Sequence, residues 1–217
     1  MKFLVTGGLG YIGSHMVKKL IKKKHKVVIF DKSEKKNIIK NKNTKLVKIN
    51  LLDKKRLNSE MNGQFFDGVF HFAGLSILKD SQKFKKKYYL NNVVATKNLI
   101  NSMIKNKLNN LIFSSSASVY GTPKIKKISE NYFTNPISNY GQNKLDIERF
   151  LFKKSKQNNF KSISFRYFNA AGADEELEIG EDHHPETHII PKILKSIKNN
   201  KNTIFIYGNN YPTKDGT

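Results

Sequence analysis

A strand-like run, Lys2 to Thr6 (KFLVT), opens directly onto Gly7, Gly8, Leu9, Gly10, Tyr11, Ile12 and Gly13 and passes into a stretch, Tyr11 to Lys24, whose apolar residues recur at helical spacing. Few folds accept that order. A strand that ends in a glycine-rich turn and re-emerges as a helix lets the backbone approach a ligand closely. It also aims the unpaired N–H groups and the positive dipole end of the helix at that ligand. Inside a polar loop the same glycines would mean a turn; between a strand and a helix they predict a dinucleotide-binding first unit. Gly7, Gly10, Tyr11, Ile12 and Gly13 are its candidate contacts.

The rest of the chain repeats the alternation. Apolar, β-rich runs lie at 26–30, 45–49, 67–72, 110–115 and 162–168, and apolar residues at helical spacing fill Lys79 to Lys107 and Ile137 to Lys156. Strand runs that are apolar throughout, such as KVVIF, suit a parallel sheet covered on both faces. The expected fold is therefore α/β, a doubly wound parallel sheet over residues 1–169. Beyond Asn169 the pattern loosens into AAGADEELEIGEDHHPETH, followed by a predicted helix from Ile189 to Asn199 and a predicted strand from Thr203 to Tyr207. We read 170–217 as the start of a smaller C-terminal lobe, cut off in a turn-like stretch.

Charge raises a different class of partner. The net charge is +23, which would suit a nucleic acid, yet only Arg56, Arg149 and Arg166 among the 40 basic residues are arginine. Bidentate recognition of phosphates and bases favours arginine. Lysines spread along the whole chain, beside abundant asparagine, decorate solvated faces, so no nucleic-acid partner is expected. No apolar stretch is long enough to cross a bilayer, so no membrane partner is expected either, and the expected location is the cytoplasm. With no cysteine, thiolate metal sites and cysteine nucleophiles are excluded.

Two further positions refine the cofactor. Asp31 ends the second strand run, where a carboxylate can accept the ribose hydroxyls of adenosine and repel a 2′-phosphate; this favours NAD, although Lys32, Lys35 and Lys36 lie close by and Asp31 could simply end the strand. Asn50, after the third strand, could hold the adenine amino group or be a plain loop residue. The chemistry falls elsewhere. Ser114, Ser115 and Ser116 end the fifth strand run, and Tyr140 and Lys144 stand four apart on a predicted helix, hence on one face. An ammonium there can stabilise a phenolate and lower the tyrosine pKa from near 10 towards neutrality, as a general base requires.

The segments TGGLGYIG, HFAGL, SSSASVYG, NYGQNK and RYFNAAGA occur in the order found in extended short-chain dehydrogenases/reductases, and their spelling is similar to the UDP-glucose 4-epimerase branch. The resemblance runs through essentially all 217 residues. It implies that Tyr140 is the catalytic base, that Lys144 binds the nicotinamide ribose and tunes Tyr140, and that Ser116 hydrogen-bonds the reacting sugar hydroxyl. It further implies that Leu51, Phe72, Ala73, Gly74, Asn92 and Phe168 join the NAD site, and that Asn169, His188, Ile189, Phe205 and Tyr207 join Ser116 and Tyr140 on a UDP-sugar. The Thr-Asp-Glu set of nucleotide-sugar 4,6-dehydratases is absent after the serines. Ser76 and Asn50 stand where many relatives carry Lys and Asp.

The implied reaction interconverts UDP-glucose and UDP-galactose by oxidation and re-reduction at sugar C4, within a homodimer formed through the helices near 80–107 and 137–156. Epimerases of UDP-N-acetylhexosamines or UDP-pentoses, then a 4,6-dehydratase, are the alternative enzymes. A non-catalytic NAD-binding scaffold is disfavoured by the intact Ser116, Tyr140 and Lys144. Despite His183, His184 and His188, no metal is expected, because no supporting ligand frame accompanies them. Truncation within the substrate lobe predicts weak turnover by these residues alone.

Overall fold

The computed structural model describes residues 1–33, 41–125, 127–176, 178–181, 183, 186–200, 203–205, 208–211, 213–214 and 216, with Asn158 described through its backbone only. The chain divides into two compact units, Met1–Ala170 and Ala171–Thr217.

In the first unit six strands form one sheet: β1 (Lys2–Thr6), β2 (Lys26–Asp31), β3 (Thr44–Lys48), β4 (Gly68–His71), β5 (Asn110–Ser116) and β6 (Lys161–Tyr167). Their order is β3-β2-β1-β4-β5-β6, and every neighbouring pair is parallel. The chain winds outwards from β1 to β3, then returns to lay β4 on the other side of β1. That reversal opens a crevice at the carboxyl ends of β1 and β4, where the loops diverge.

Both faces are covered, and residue alternation shows how. Leu4, Val28 and Phe30 enter one core with Leu57, Leu99, Ile100, Met103, Ile147 and Leu151. These come from α2 (Lys54–Met61), α5 (Ala95–Lys105) and α6 (Asn139–Asn158). Their strand neighbours Val5, Val27 and Ile29 point the other way, against Val17 and Leu20 of α1 (Tyr11–Lys22). Successive residues of β1 and β2 thus serve two cores, which is why those runs are largely apolar. Each fully buried aliphatic side chain contributes roughly 1.5–3 kcal/mol.

Helix α2 carries no strong apolar period and escapes a pattern reading: of KKRLNSEM only Leu57 and Met61 are buried, and the Asp53 carboxylate caps it by accepting from Arg56 N. The stretch 79–107, expected as one helix, is broken. It runs as α3 (Leu78–Lys83), α4 (Lys85–Tyr89), a π turn (Leu90–Val94) and then α5. Phe84, at φ −115° and ψ 50°, interrupts the first part. The π turn bulges where Asn92 turns inward, and such bulges concentrate at functional sites.

In the second unit α7 (Ile189–Lys198) buries none of its side chains. Thr203, Ile204 and Phe205 form no strand, contrary to expectation, and the remainder of that run, with Tyr207, lies outside the described residues. No strand exists among the described residues of this unit, and a lone strand would leave its backbone groups unpaired. Among the described residues no helix is long and apolar enough to cross a membrane.

Candidate active site

Gly7 follows β1 and turns at φ +70°, and Gly10 N donates to Gly7 O at 3.0 Å, closing the loop. Helix α1 starts immediately, with Gly10 at its N-cap, no side-chain cap and no acidic residue in its first turn. Gly13, one turn in, is there because of contact: a Cβ would sit 2.1 Å from Gly7 O. The loop and the helix thus meet backbone to backbone. Tyr11 packs edge-on against His15, and Ile12 starts the helix beside it.

Asp31 faces this loop from the end of β2. One carboxylate oxygen accepts from Leu9 N at 3.0 Å and the other from Ser33 N at 2.9 Å. The carboxylate is therefore held against the glycine turn by the backbone. Asn50, by contrast, is exposed, and its side-chain oxygen accepts from Leu52 N at 3.0 Å. Leu51 is buried, its carbonyl receiving Asn98 Nδ2 at 3.0 Å.

Phe72, Ala73 and Gly74 follow β4 and line the other side of the crevice, with Ala73 so close to Gly7 that a Cβ on Gly7 would lie 2.5 Å from Ala73 N. Asn92 is buried and uses both ends of its amide on one neighbour. Its Oδ1 accepts from Leu75 N at 2.8 Å and its Nδ2 donates to Leu75 O at 2.9 Å. It clamps the 73–75 loop rather than projecting into the crevice. Phe168 and Asn169, after β6, are exposed.

At the end of β5, Ser116 caps a 3-10 turn (Ala117–Tyr120) by accepting from Ser118 N at 3.2 Å. Helix α6 begins beside that turn, capped by Ser138, whose hydroxyl accepts from Gly141 N at 3.0 Å. Only a glycine fits at 141, because a Cβ would lie 2.4 Å from Ser118 O. That contact brings Tyr140 beside Ser116, close enough for the serine hydroxyl to act on its titration. Lys144 follows one turn later and is buried; its Nζ donates to Ser114 O at 2.6 Å and lies 5.5 Å from the centre of the Tyr140 ring. The structure therefore brings Ser116, Tyr140 and Lys144 together.

One expectation is reversed. Lys144 was to lower the Tyr140 pKa; here burial raises it above the ordinary phenol value, the neighbouring Ser116 hydroxyl pulls it down and nearby Tyr88 pushes it up. The ammonium is directed at the Ser114 carbonyl, and burial holds it down to about 8. Burial disfavours the charged form of both groups.

Pattern reading also missed the support beneath these residues. His71 is buried at the end of β4, between Thr6 and Thr96. Thr96 donates to Asn92 O at 2.7 Å, so its oxygen accepts from His71 Nε2, and His71 Nδ1 accepts from Thr6. Burial, then the nearby Lys144 charge, holds His71 down to about 3, and it remains neutral. Ser115, Glu148, Arg166 and Tyr120 form a second, partly buried group, traceable only by noting that Glu148 continues the four-residue spacing of Tyr140 and Lys144.

In the second unit, His188 and Ile189 begin α7, both exposed, and Phe205 is exposed as well. His183 and His188 gather with Glu181 and Glu186, whose donor atoms all lie within 4.8 Å of one another. His183 Nδ1 is 3.2 Å from Glu181 Oε1, His188 Nδ1 pairs with the same oxygen, and Glu186 Oε1 is 3.4 Å from His188 Nδ1. Two imidazoles and two carboxylates thus share one cluster with the ligand types of a metal site, a frame that the sequence reading did not expect. His184 lies outside the described residues.

A doubly wound sheet with a glycine-lined crevice at its point of reversal, and a serine, tyrosine and lysine gathered at the next strand end, defines a Rossmann-type protein with a short-chain dehydrogenase/reductase constellation. The comparisons place it more closely. The chain belongs to the NAD dependent epimerase/dehydratase family, which it matches over residues 3–216. It is 40% identical over 220 residues to the UDP-glucose 4-epimerase of Lactobacillus helveticus, an alignment covering 100% of this chain and 66% of that protein. Its fold is similar to that of the Brucella ovis UDP-glucose 4-epimerase solved in complex with NAD, with a TM-score of 0.91 at 35% identity, covering 99% of this chain and 66% of that one. The UDP-Glc/GlcNAc 4-epimerase of Campylobacter jejuni is similar with a TM-score of 0.82 at 34% identity, covering 100% and 68%. The chain thus spans about two thirds of the length of these relatives.

Proposed function

We propose that the protein is an NAD-dependent UDP-glucose 4-epimerase, an isomerase that interconverts UDP-glucose and UDP-galactose. The observation that carries this reading is the buried Lys144, with the Tyr140 ring beside it, set against the serine-bearing end of β5 next to the glycine crevice. The crevice fits NAD: the Gly7 and Gly13 backbones leave no room for a side chain, α1 presents an N-terminus without a side-chain cap, and Asp31 stands at the end of β2. Gly7, Gly10, Tyr11, Ile12, Gly13, Asp31, Leu51, Phe72, Ala73 and Gly74 would hold it. Asn92 would act by fixing the 73–75 loop, and Asn50 and Phe168 would meet the cofactor at its exposed edge.

When bound, NAD accepts a hydride from sugar C4 and returns it to the opposite face of the ring. Tyr140 takes the proton of the 4-hydroxyl and later gives it back. Ser116 donates to the same oxygen and stabilises the charge that builds there, while Lys144 stabilises the phenolate. Because burial raises the Tyr140 pKa, the base depends on positive charge arriving beside it, and Lys144 leaving Ser114 O is the residue able to supply it. Asn169, His188, Ile189, Phe205 and Tyr207 would hold the UDP-sugar. Both substrates and cofactor are cytoplasmic metabolites, which supports a cytoplasmic role in galactose metabolism, and the family resemblance supports a homodimer.

The test is proton NMR of UDP-galactose incubated with NAD and the natural full-length protein. The anomeric signal of UDP-glucose should grow in, and Tyr140→Phe should slow it by about 10²–10⁴-fold, the usual contribution of a general base. An unchanged spectrum with NAD bound would reject the UDP-glucose assignment. The likeness to a UDP-Glc/GlcNAc 4-epimerase supports a second reading, a UDP-N-acetylhexosamine epimerase. Repeating the assay with UDP-N-acetylgalactosamine separates the two.

A further inference from the structure

Three residues of α6, four apart, reach three consecutive serines at the end of β5. Tyr140 lies beside Ser116, Lys144 Nζ bonds the Ser114 carbonyl, and the Glu148 carboxylate accepts from the Ser115 hydroxyl. The first two belong to the chemistry proposed above. The third touches no reactant. We propose that Glu148, with Ser115 and Arg166, forms a positioning unit that sets the separation of the Tyr140 and Ser116 hydroxyls; this rests on the epimerase reading.

The connections grip Ser116 from both sides. Ser115 and Arg166 are direct partners across β5 and β6, so Glu148 lands on both members of one cross-strand pair. Arg166 gives Glu148 a forked contact, Nη2 to Oε2 at 2.7 Å and Nε to Oε1 at 3.1 Å. Its remaining nitrogen, Nη1, donates to Tyr120 OH at 2.8 Å and to Glu130 O at 3.0 Å, and the guanidinium lies 4.8 Å from the Tyr120 ring centre. Tyr120 closes the 3-10 turn that Ser116 opens. One carboxylate therefore ties the residue before Ser116, and through Arg166 the turn after it, to the helix that carries Tyr140.

Stability alone does not account for such a group. The Glu148 side chain is 11% exposed and that of Arg166 23%, and a largely buried ion pair gains little over well-packed apolar residues because desolvation offsets its attraction. What a forked, fully bonded pair supplies is a fixed geometry. Reacting groups are sensitive to that: a displacement of about 1 Å costs on the order of a hundredfold in rate.

The experiment compares Glu148→Gln, Ser115→Ala and the double variant with the wild type in the natural full-length protein. Each single variant should lower kcat by about 10–100-fold, with the KM for UDP-galactose and the affinity for NAD within about threefold of wild type. The double variant should be little worse than the worse single one, because the two residues act as a unit. A second readout does not depend on turnover: the Tyr140 phenol, followed by NMR of 13C-labelled tyrosine and assigned with Tyr140→Phe, should titrate at higher pH once the Ser116 contact loosens. Unchanged kcat, equal losses in kcat and NAD affinity, or an unshifted Tyr140 titration would each overturn the proposal. A wild type that converts no UDP-sugar would count against the epimerase reading alone, since the titration still reports on Glu148. Should Glu148→Gln fail to fold, Ser115→Ala, which leaves the Glu148–Arg166 pair in place, carries the same expectations.

Discussion

The two ends of the crevice are built by opposite means. At the β1 and β4 end the surface is backbone: Gly7 and Gly13 meet without side chains, and Ala73 presses against Gly7. At the β5 and α6 end it is side chain: Ser116, Tyr140, Lys144 and Glu148 gather there, and Lys144 and Glu148 are held by hydrogen bonds to β5. A backbone site is fixed by what is missing and is rigid without cost in buried charge. A side-chain site must bury ionisable groups, and its geometry is only as good as the network beneath it.

The sharpest way to break that contrast is at Gly13. A methyl there meets Gly7 O at 2.1 Å, and neither partner is a flexible side chain that could move aside. Overpacking of this kind costs about 1–3 kcal/mol, so Gly13→Ala should weaken NAD binding by about 10–100-fold in calorimetry. The Tyr140 titration should stay where it is, because the other end shares no residue with the loop. NAD affinity equal to wild type would mean that the glycine contact does not shape the cofactor site.

The same contrast explains what could be read in advance. The glycine loop, Asp31 at the strand end and the Tyr140–Lys144 pair are local in sequence, and local spacing reports local backbone. The strand runs were equally legible: β1 and β2, mostly buried, are largely apolar, and β6 alternates apolar and polar residues. What escaped was non-local. Glu148 on α6, Ser115 on β5 and Arg166 on β6 meet only after folding, and His71 reads as an ordinary strand residue until Thr6 and Thr96 close on it. The break at Phe84 and the π turn escaped for another reason: a helical apolar period persists through a bulge that shifts the register by one residue, so 79–107 looked continuous.

Lys144 tests the cost side of the comparison. Burial moves it from 10.5 to about 8, at about 1.4 kcal/mol per pH unit. Its folded pKa lies below its unfolded one, so the penalty is fully present below pH 8 and fades as pH rises towards 10.5. Lys144→Met should therefore abolish turnover yet stabilise the NAD-free protein at pH 7. The gain should be about 1–2 kcal/mol after allowing for the lost bond to Ser114 O. Urea unfolding at pH 7 and again near pH 10.5 should show the advantage shrinking with pH. A variant less stable than wild type at both would show that the ammonium is a structural asset, and the contrast between the two ends would lose its energetic basis.

His71 is where the two ends are joined, and its effect is the most specific in pH. It takes a hydrogen bond from Thr6 of β1, passes one through Thr96 to the carbonyl of Asn92, whose side chain clamps the 73–75 loop, and stacks 5.9 Å from Phe113 of β5, over which the Lys144 ammonium lies. Its pKa falls from 6.5 to about 3 on folding. The unfolded chain therefore binds a proton in that interval that the folded chain refuses, and stability falls as pH drops from 6.5 towards 3, by about 1.4 kcal/mol per unit. In His71→Gln this part of the acid slope should vanish, although the variant starts about 1–3 kcal/mol lower at pH 7 for its lost packing and hydrogen bonds. Parallel stability curves for the two proteins between pH 6.5 and 4 would show that His71 is protonated in the folded state. In that case the joint could not hold the neutral tautomer that bonds Thr6 and Thr96, and the two ends would be positioned independently of each other.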